Sequence, residues 1–93
     1  MDFNWDKEKA AANLEKHGVS FEEAQTAFND CNALRIYDPD HSSDEDRFVL
    51  LGLSSKLRML VVCHCYREND ELIRIISARK ATKKESATYK KRK

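Results

Sequence analysis

Between Arg47 and Ser77 three runs rich in Val, Ile, Leu and Tyr follow one another, Arg47–Leu53, Leu57–Tyr66 and Leu72–Ser77. Only Ser54-Ser55-Lys56 and the polar stretch Arg67-Glu68-Asn69-Asp70-Glu71 separate them. Strands joined by hairpin-length connections form an antiparallel meander. A shorter run, Ala33–Tyr37, precedes them and is stopped by Asp38-Pro39-Asp40 and an acidic loop through Asp46. The pattern predicts an antiparallel sheet of about four strands.

Helical signals flank this block. A short strand is possible at Asp2–Asn4, with Phe3 and Trp5 as anchors. Asp6 reads as an N-cap, Lys7–Lys16 is rich in helix formers, and His17-Gly18 closes the helix with glycine in the left-handed position. Ser20-Phe21-Glu22-Glu23 has the form of a capping box. Phe21, Ala24, Ala27 and Phe28 then recur at helical spacing, with an end near Asn29. Thr82-Lys83-Lys84-Glu85 is a second box opening a last helix that carries Tyr89, and Lys90-Lys91-Arg92-Lys93 should fray. Helices before and after the strands can cover one face of the sheet. The expectation is one α+β domain over residues 1–93.

Composition narrows the function classes. With 93 residues and 10.8 kDa the chain has room for one core. Two Gly and one Pro leave no Gly-rich phosphate cradle. No apolar run approaches the ~18 residues of a membrane helix, and MDFNWDKEK is too charged for a signal peptide. Three Cys without paired spacing suit a reducing compartment, so a cytoplasmic location is expected, with no membrane partner. A net charge of +1 hides a strong asymmetry. Residues 1–46 carry four Lys/Arg against twelve Asp/Glu, and residues 47–93 carry thirteen against four. The basic half offers a surface for phosphates or an acidic partner; alternatively the two halves neutralise each other in the fold.

Metal and nucleophile chemistry find little support. Asp38, Asp40, His41, Asp44, Glu45 and Asp46 crowd one loop, but without the glycine and terminal glutamate of an EF-hand, so a solvated loop is expected. In Cys63-His64-Cys65 strand alternation puts the thiols on one face, with Met59 and Val61, and the imidazole on the other. The thiols read as small core residues, and no metal or cofactor is expected. There is no Gly-x-Ser-x-Gly turn and no activated cysteine context.

The basic constellation is stronger. Strict alternation puts Leu72, Arg74 and Ile76 on one strand face and Ile73, Ile75 and Ser77 on the other. An arginine inside Leu-Ile-Arg-Ile-Ile must be paired or open onto a groove. Arg79 and Lys80 follow at the strand end, then Lys83 and Lys84 in a first helical turn, where cations oppose the helix dipole unless something anionic lies near. Arg47, Arg58 and Arg67 on the preceding strands complete a plausible phosphate-binding face. Lys9, Asn13 and His17 fall at i, i+4 and i+8 on one side of the first helix, although a histidine before a C-terminal glycine is often a helix-end cation.

Phe3-Asn4-Trp5-Asp6, Lys9, Asn13 and Lys16-His17-Gly18-Val19-Ser20-Phe21-Glu22-Glu23-Ala24 together resemble the opening of the BrnT toxin family. The run Arg74-Ile75-Ile76-Ser77-Ala78-Arg79-Lys80-Ala81-Thr82, with Glu85 and Tyr89, is similar to that family's closing signature. Tyr37-Asp38, Asp44-Glu45-Asp46-Arg47, Gly52 and Leu60-Val61-Val62 fit between them, so the resemblance spans essentially the whole chain. Ser86-Ala87-Thr88 departs from it, standing where relatives commonly carry charged residues.

The resemblance implies a ribonuclease toxin of a bacterial type II toxin–antitoxin pair, with a RelE/ParE-like fold and inhibition of translation. It also implies neutralisation by a BrnA-type antitoxin whose ribbon-helix-helix part binds operator DNA. Metal-free RNA cleavage needs a base for the 2′-hydroxyl, an acid for the leaving 5′-oxygen and cations over the phosphorane. Arg79 and Arg74 are the expected phosphate stabilisers, with Lys80 assisting. His17 or Lys9 could move protons, and Tyr89 could do so or stack on a base. His64 is a weaker candidate. Lys83, Lys84, Arg47 and Arg58 are expected to contact RNA. The competing readings are a non-catalytic nucleic-acid-binding module and a protein-interaction domain.

Overall fold

A computed structural model describes residues 1–91. In chain order it holds β1 (Asp2–Asn4), α1 (Lys7–His17), α2 (Phe21–Thr26), β2 (Leu34–Tyr37), β3 (Arg47–Leu53), β4 (Met59–Arg67), β5 (Leu72–Lys80) and α3 (Lys83–Lys91). A 3-10 turn at Ala27–Asn29 continues α2, and another at Pro39–His41 follows β2. Lys90 and Lys91 are helical; the rest of the expected fraying falls at residues 92 and 93, outside the described residues.

Local chemistry explains the helix ends. Asp6 accepts hydrogen bonds from the amides of Glu8 and Lys9 at 2.8 and 3.2 Å. Gly18 adopts φ 69° and returns its N–H to the Leu14 carbonyl at 2.8 Å. The Thr82 box closes both ways: the Glu85 amide donates to Thr82 Oγ1 at 3.1 Å, and the Thr82 amide donates to Glu85 Oε1 at 2.8 Å. The Ser20 box closes only one way. Its hydroxyl accepts the Glu23 amide at 3.0 Å, but the Glu23 carboxylate turns inward to Arg58 and Ser54.

The sheet has five strands in the order β1-β5-β4-β3-β2, not four, and it is mixed. The antiparallel meander runs from β2 to β5, while β1 adds a parallel edge through Asp2, Phe3 and Asn4 opposite Leu72, Ile73 and Arg74. The helices also do not share one face. Val19, Phe21, Ala24 and Ala27, from α2 and its flanks, pack with Leu50, Leu60, Val62, Ile73, Ile75 and Ala78. On the opposite face Tyr89 of α3 packs with Leu51 and Val61. The reason lies in the strands: Leu50-Leu51 and Val61-Val62 point apolar side chains both ways, so both faces need cover. Burying each of Phe21, Leu60 and Ile75 contributes about 1.5–3 kcal/mol.

One irregularity in β5 matters for the site. Ser77 pairs with Cys63 and Ile75 with His64, leaving Ile76 as an extra residue in a β-bulge. Beyond it the alternation reverses. Ala78, opposite Val62, takes the core side, and Arg79, opposite Val61, takes the side of α3. Strict alternation puts Ser77 with Ile73 and Ile75; the bulge moves it to the other face.

Candidate active site

On the α3 side of the sheet a groove of about 250 Å³ opens beside the bulge. Asp38, His41 and Arg47 form one wall, Val61 and Cys63 the floor, and Ile76, Ser77 and Arg79 the other wall. Arg47 stands at the start of β3. Arg79 reaches the same groove because of the Ile76 bulge: with uninterrupted alternation its guanidinium falls on the core face, where an unpaired charge is prohibitive.

Arg79 is held in place. Its Nη1 and Nη2 donate to the two Glu85 oxygens at 2.8 and 2.9 Å, and Nη1 also donates to the Lys80 carbonyl at 3.3 Å. Glu85 is itself fixed by the Thr82 amide. The Arg79 guanidinium holds the Glu85 carboxyl down from an ordinary 4.5 to about 2, against a smaller opposing effect of burial. Of the five donors of a guanidinium, the Nε–H and the second Nη2–H take no part in these bonds. They lie side by side and match two oxygens of a phosphate. The first-turn lysines Lys83 and Lys84 thus start a helix whose anionic partner is Glu85, and both are exposed, as is Lys80.

A second hollow lies across the bulge. Lys9, Asn13, Lys16 and His17 of α1 face Ile76 and Ser77 there, so both hollows share the two bulge residues. Asn13 is buried and bonds to the β5 backbone: Nδ2 donates to the Ala78 carbonyl at 2.8 Å and Oδ1 accepts the Ala78 amide at 3.1 Å. β1 pairs with β5 only as far as Arg74, and Asn13 serves as a strand partner at Ala78. Lys9 and His17 are carried on this fixed helix.

Other expected site residues are engaged elsewhere. Arg74, five positions before Arg79 on β5, donates instead to Asn4 Oδ1 at 3.3 Å. Tyr89 is buried under α3 and donates to Asp30 Oδ2 at 2.7 Å; that bond, with burial, raises its phenol above the ordinary range. Arg58, just before β4, clamps the buried Glu23 carboxylate and donates to the Gly18 carbonyl at 3.0 Å, so it ties the turn between β3 and β4 to α2. Arg67 pairs with Glu45 at 3.1 Å. His64 is fully buried, and burial lowers its pKa. Nδ1 lies 3.1 Å from the Val62 carbonyl and Nε2 lies 3.3 Å from the Tyr66 hydroxyl, which also accepts from Arg35. Burial raises the Cys63 thiol, with Arg47 pulling the other way, which is no setting for a thiolate nucleophile. Among the described residues no three His, Cys, Asp or Glu side chains gather as a metal site.

The sequence reading missed His41 and Asp38 as groove residues, treating them as part of a solvated loop. The Pro39–His41 turn folds the loop back: Asp38 caps it through the Asp40 amide at 3.2 Å and lies 2.8 Å from His41 Nδ1. The Asp-Pro-Asp-His spacing was the available signal, since aspartate before proline commonly initiates such a turn.

A family model described as "Ribonuclease toxin, BrnT, of type II toxin-antitoxin system" matches residues 5–85. The chain belongs to the BrnT family. In structure it is similar to the Brucella abortus ribonuclease toxin BrnT, whose crystal structure aligns with a TM-score of 0.66 and 25% sequence identity. The alignment covers 89% of this chain and 99% of that one. Among curated proteins no sequence match was found. BrnT membership makes this a ribonuclease toxin of a type II system, which implies an antitoxin partner. No helix among the described residues of this BrnT chain is long and apolar enough to cross a membrane.

Proposed function

We propose that this chain is a cytoplasmic endoribonuclease of RelE/ParE-like type that cuts RNA without a metal ion and thereby inhibits translation. The observation that carries the reading is the free pair of Arg79 donors in a groove shared with Arg47. In the reaction the RNA 2′-oxygen bonds to the adjacent phosphorus and the bond from phosphorus to the 5′-oxygen breaks. A proton leaves the 2′-hydroxyl, another reaches the 5′-oxygen, and the product keeps a 2′,3′-cyclic phosphate. The two guanidiniums offer charge to the phosphorane, which carries more negative charge on its equatorial oxygens than the ground state does. Arg79 is preorganised for this by Glu85, so little reorganisation is required on reaching the transition state. Lys9 and His17 extend the basic surface across the bulge, where they serve the RNA strand or its protons, and Lys80, Lys83 and Lys84 extend it past β5. Arg74, Arg58 and Tyr89 act in this reading through the fold rather than on phosphate.

The partner is a BrnA-like antitoxin whose ribbon-helix-helix part carries the complex to operator DNA. The family resemblance supports that assignment, and the basic groove offers a surface for an antitoxin to occlude. The test of the activity is cleavage of a defined RNA in excess EDTA. Products ending in 2′,3′-cyclic phosphate support the mechanism; activity lost in EDTA and restored by Mg²⁺ overturns it.

A further inference from the structure

The groove that holds Arg47 and Arg79 also contains a histidine–aspartate pair that the reading above leaves unused. His41 Nδ1 lies 2.8 Å from Asp38 Oδ2, and both side chains line the groove with the two arginines. An ionised aspartate only accepts hydrogen bonds, so Nδ1 carries the proton of the neutral ring and Nε2 is left with its lone pair. The His41 side chain is 67% exposed and belongs to neither core, whereas Asp38 is 18% exposed and fixed by capping the turn through the Asp40 amide. The pair thus has a rigid half and an accessible half.

We propose that His41, oriented by Asp38, is the base that takes the 2′-hydroxyl proton of RNA bound by Arg47 and Arg79. The inference rests on the ribonuclease reading. As the 2′-oxygen attacks phosphorus, its proton passes to His41 Nε2, the bond to the 5′-oxygen breaks, and that oxygen is protonated from solvent. His41 then returns its proton to solvent, so atoms and charge balance over the cycle. Asp38 is a positioning residue: it fixes the tautomer and stabilises the imidazolium that forms. Arg47, Arg79 and the Cys63 thiol face His41 from β3, β5 and β4. On its far side Asp40, Asp44 and Glu45 share a separate, third hollow with His41 and Arg47. Those carboxylates disfavour phosphate on that side and leave the Arg79 side as the path for RNA.

The test uses single-turnover cleavage of a short RNA across pH 5–9, with affinity measured on the same sequence carrying 2′-O-methyl groups. A base must be unprotonated, so the wild-type rate rises as pH is raised from the acid end. His41→Gln lowers the rate about 10²–10⁴-fold, leaves affinity within a few-fold and abolishes that rise. Asp38→Asn, which still caps the turn, lowers the plateau rate and also leaves affinity intact. Added imidazole restores part of the rate to His41→Gly. A His41→Gln protein that cuts near the wild-type rate, or keeps the wild-type pH profile, overturns the assignment. If Arg79→Ala is inactive in that same case, the ribonuclease reading stands. A wild-type protein that cuts no RNA removes both.

Discussion

Asn13 and Ala78 are joined by a two-way bridge between a side-chain amide and a strand backbone, with bonds of 2.8 and 3.1 Å across 65 positions of sequence. The bridge fixes α1 to β5 one residue before Arg79 and supports the reversed alternation that follows the bulge. Asn13→Ala leaves the buried Ala78 amide and carbonyl, together with the Val19 carbonyl, without this partner. A loss of about 2–4 kcal/mol is expected in urea unfolding, from roughly 1 kcal/mol per bond plus the cost of unpaired buried groups. Asn13→Asp recovers little of it, because a carboxylate cannot donate to either carbonyl.

Arg79 separates catalysis from fold. Its pair with Glu85 is partly exposed, at 41% and 33%, so removing it costs at most about 1 kcal/mol and a few degrees in Tm. The expected loss in cleavage rate for Arg79→Ala is larger, about 10²–10³-fold, because the stabilised charge develops in the transition state. Arg79→Lys should recover little, since an ammonium cannot hold Glu85 and a phosphate with two planar forks. Differential scanning calorimetry and single-turnover cleavage on the same variants check both halves.

Glu85 makes stability depend on acid. Its folded pKa is depressed from 4.5 to about 2, so the stability it contributes is fully present above about 4.5 and is lost as pH falls toward 2. In Glu85→Gln that contribution is absent throughout. The difference in unfolding free energy between wild type and Glu85→Gln should therefore shrink steadily between pH 5 and 2, as followed by circular dichroism. A constant difference across this range would show that the pair contributes through packing alone.

Gly52 sits where the sheet touches the turn after α2. A Cβ at this position meets the Ala27 carbonyl oxygen at 2.9 Å and the Ala33 Cβ at 3.1 Å. Backbone must shift to admit it, and Gly52→Ala should destabilise the protein by about 1–3 kcal/mol in denaturant titration.

Lys83 tests the outer part of the basic surface. It is exposed and lies outside the groove, so Lys83→Ala should weaken RNA binding modestly, lower the salt slope by about one unit and leave single-turnover rate at saturating protein unchanged. Binding isotherms at several salt concentrations measure the slope.

Features that neighbours in the chain can settle were legible from the residues alone. The Asp6, Gly18 and Thr82–Glu85 helix signals act within a turn, and β3 runs from Arg47 to Leu53 as its residues dictate, because caps and alternation are local. The arginines of the basic half were legible as a group, yet their fates were not. Arg58 was taken by Glu23 from 35 positions away, and Arg79 was turned toward the groove by a register shift visible only against β4. Parallel pairing of three-residue β1, cover of both sheet faces by separate helices, and the meeting of His41 with Arg79 were likewise decided by the tertiary structure. Each depends on a distant partner that supplies hydrogen bonds, burial or charge, and a local pattern cannot specify which partner arrives.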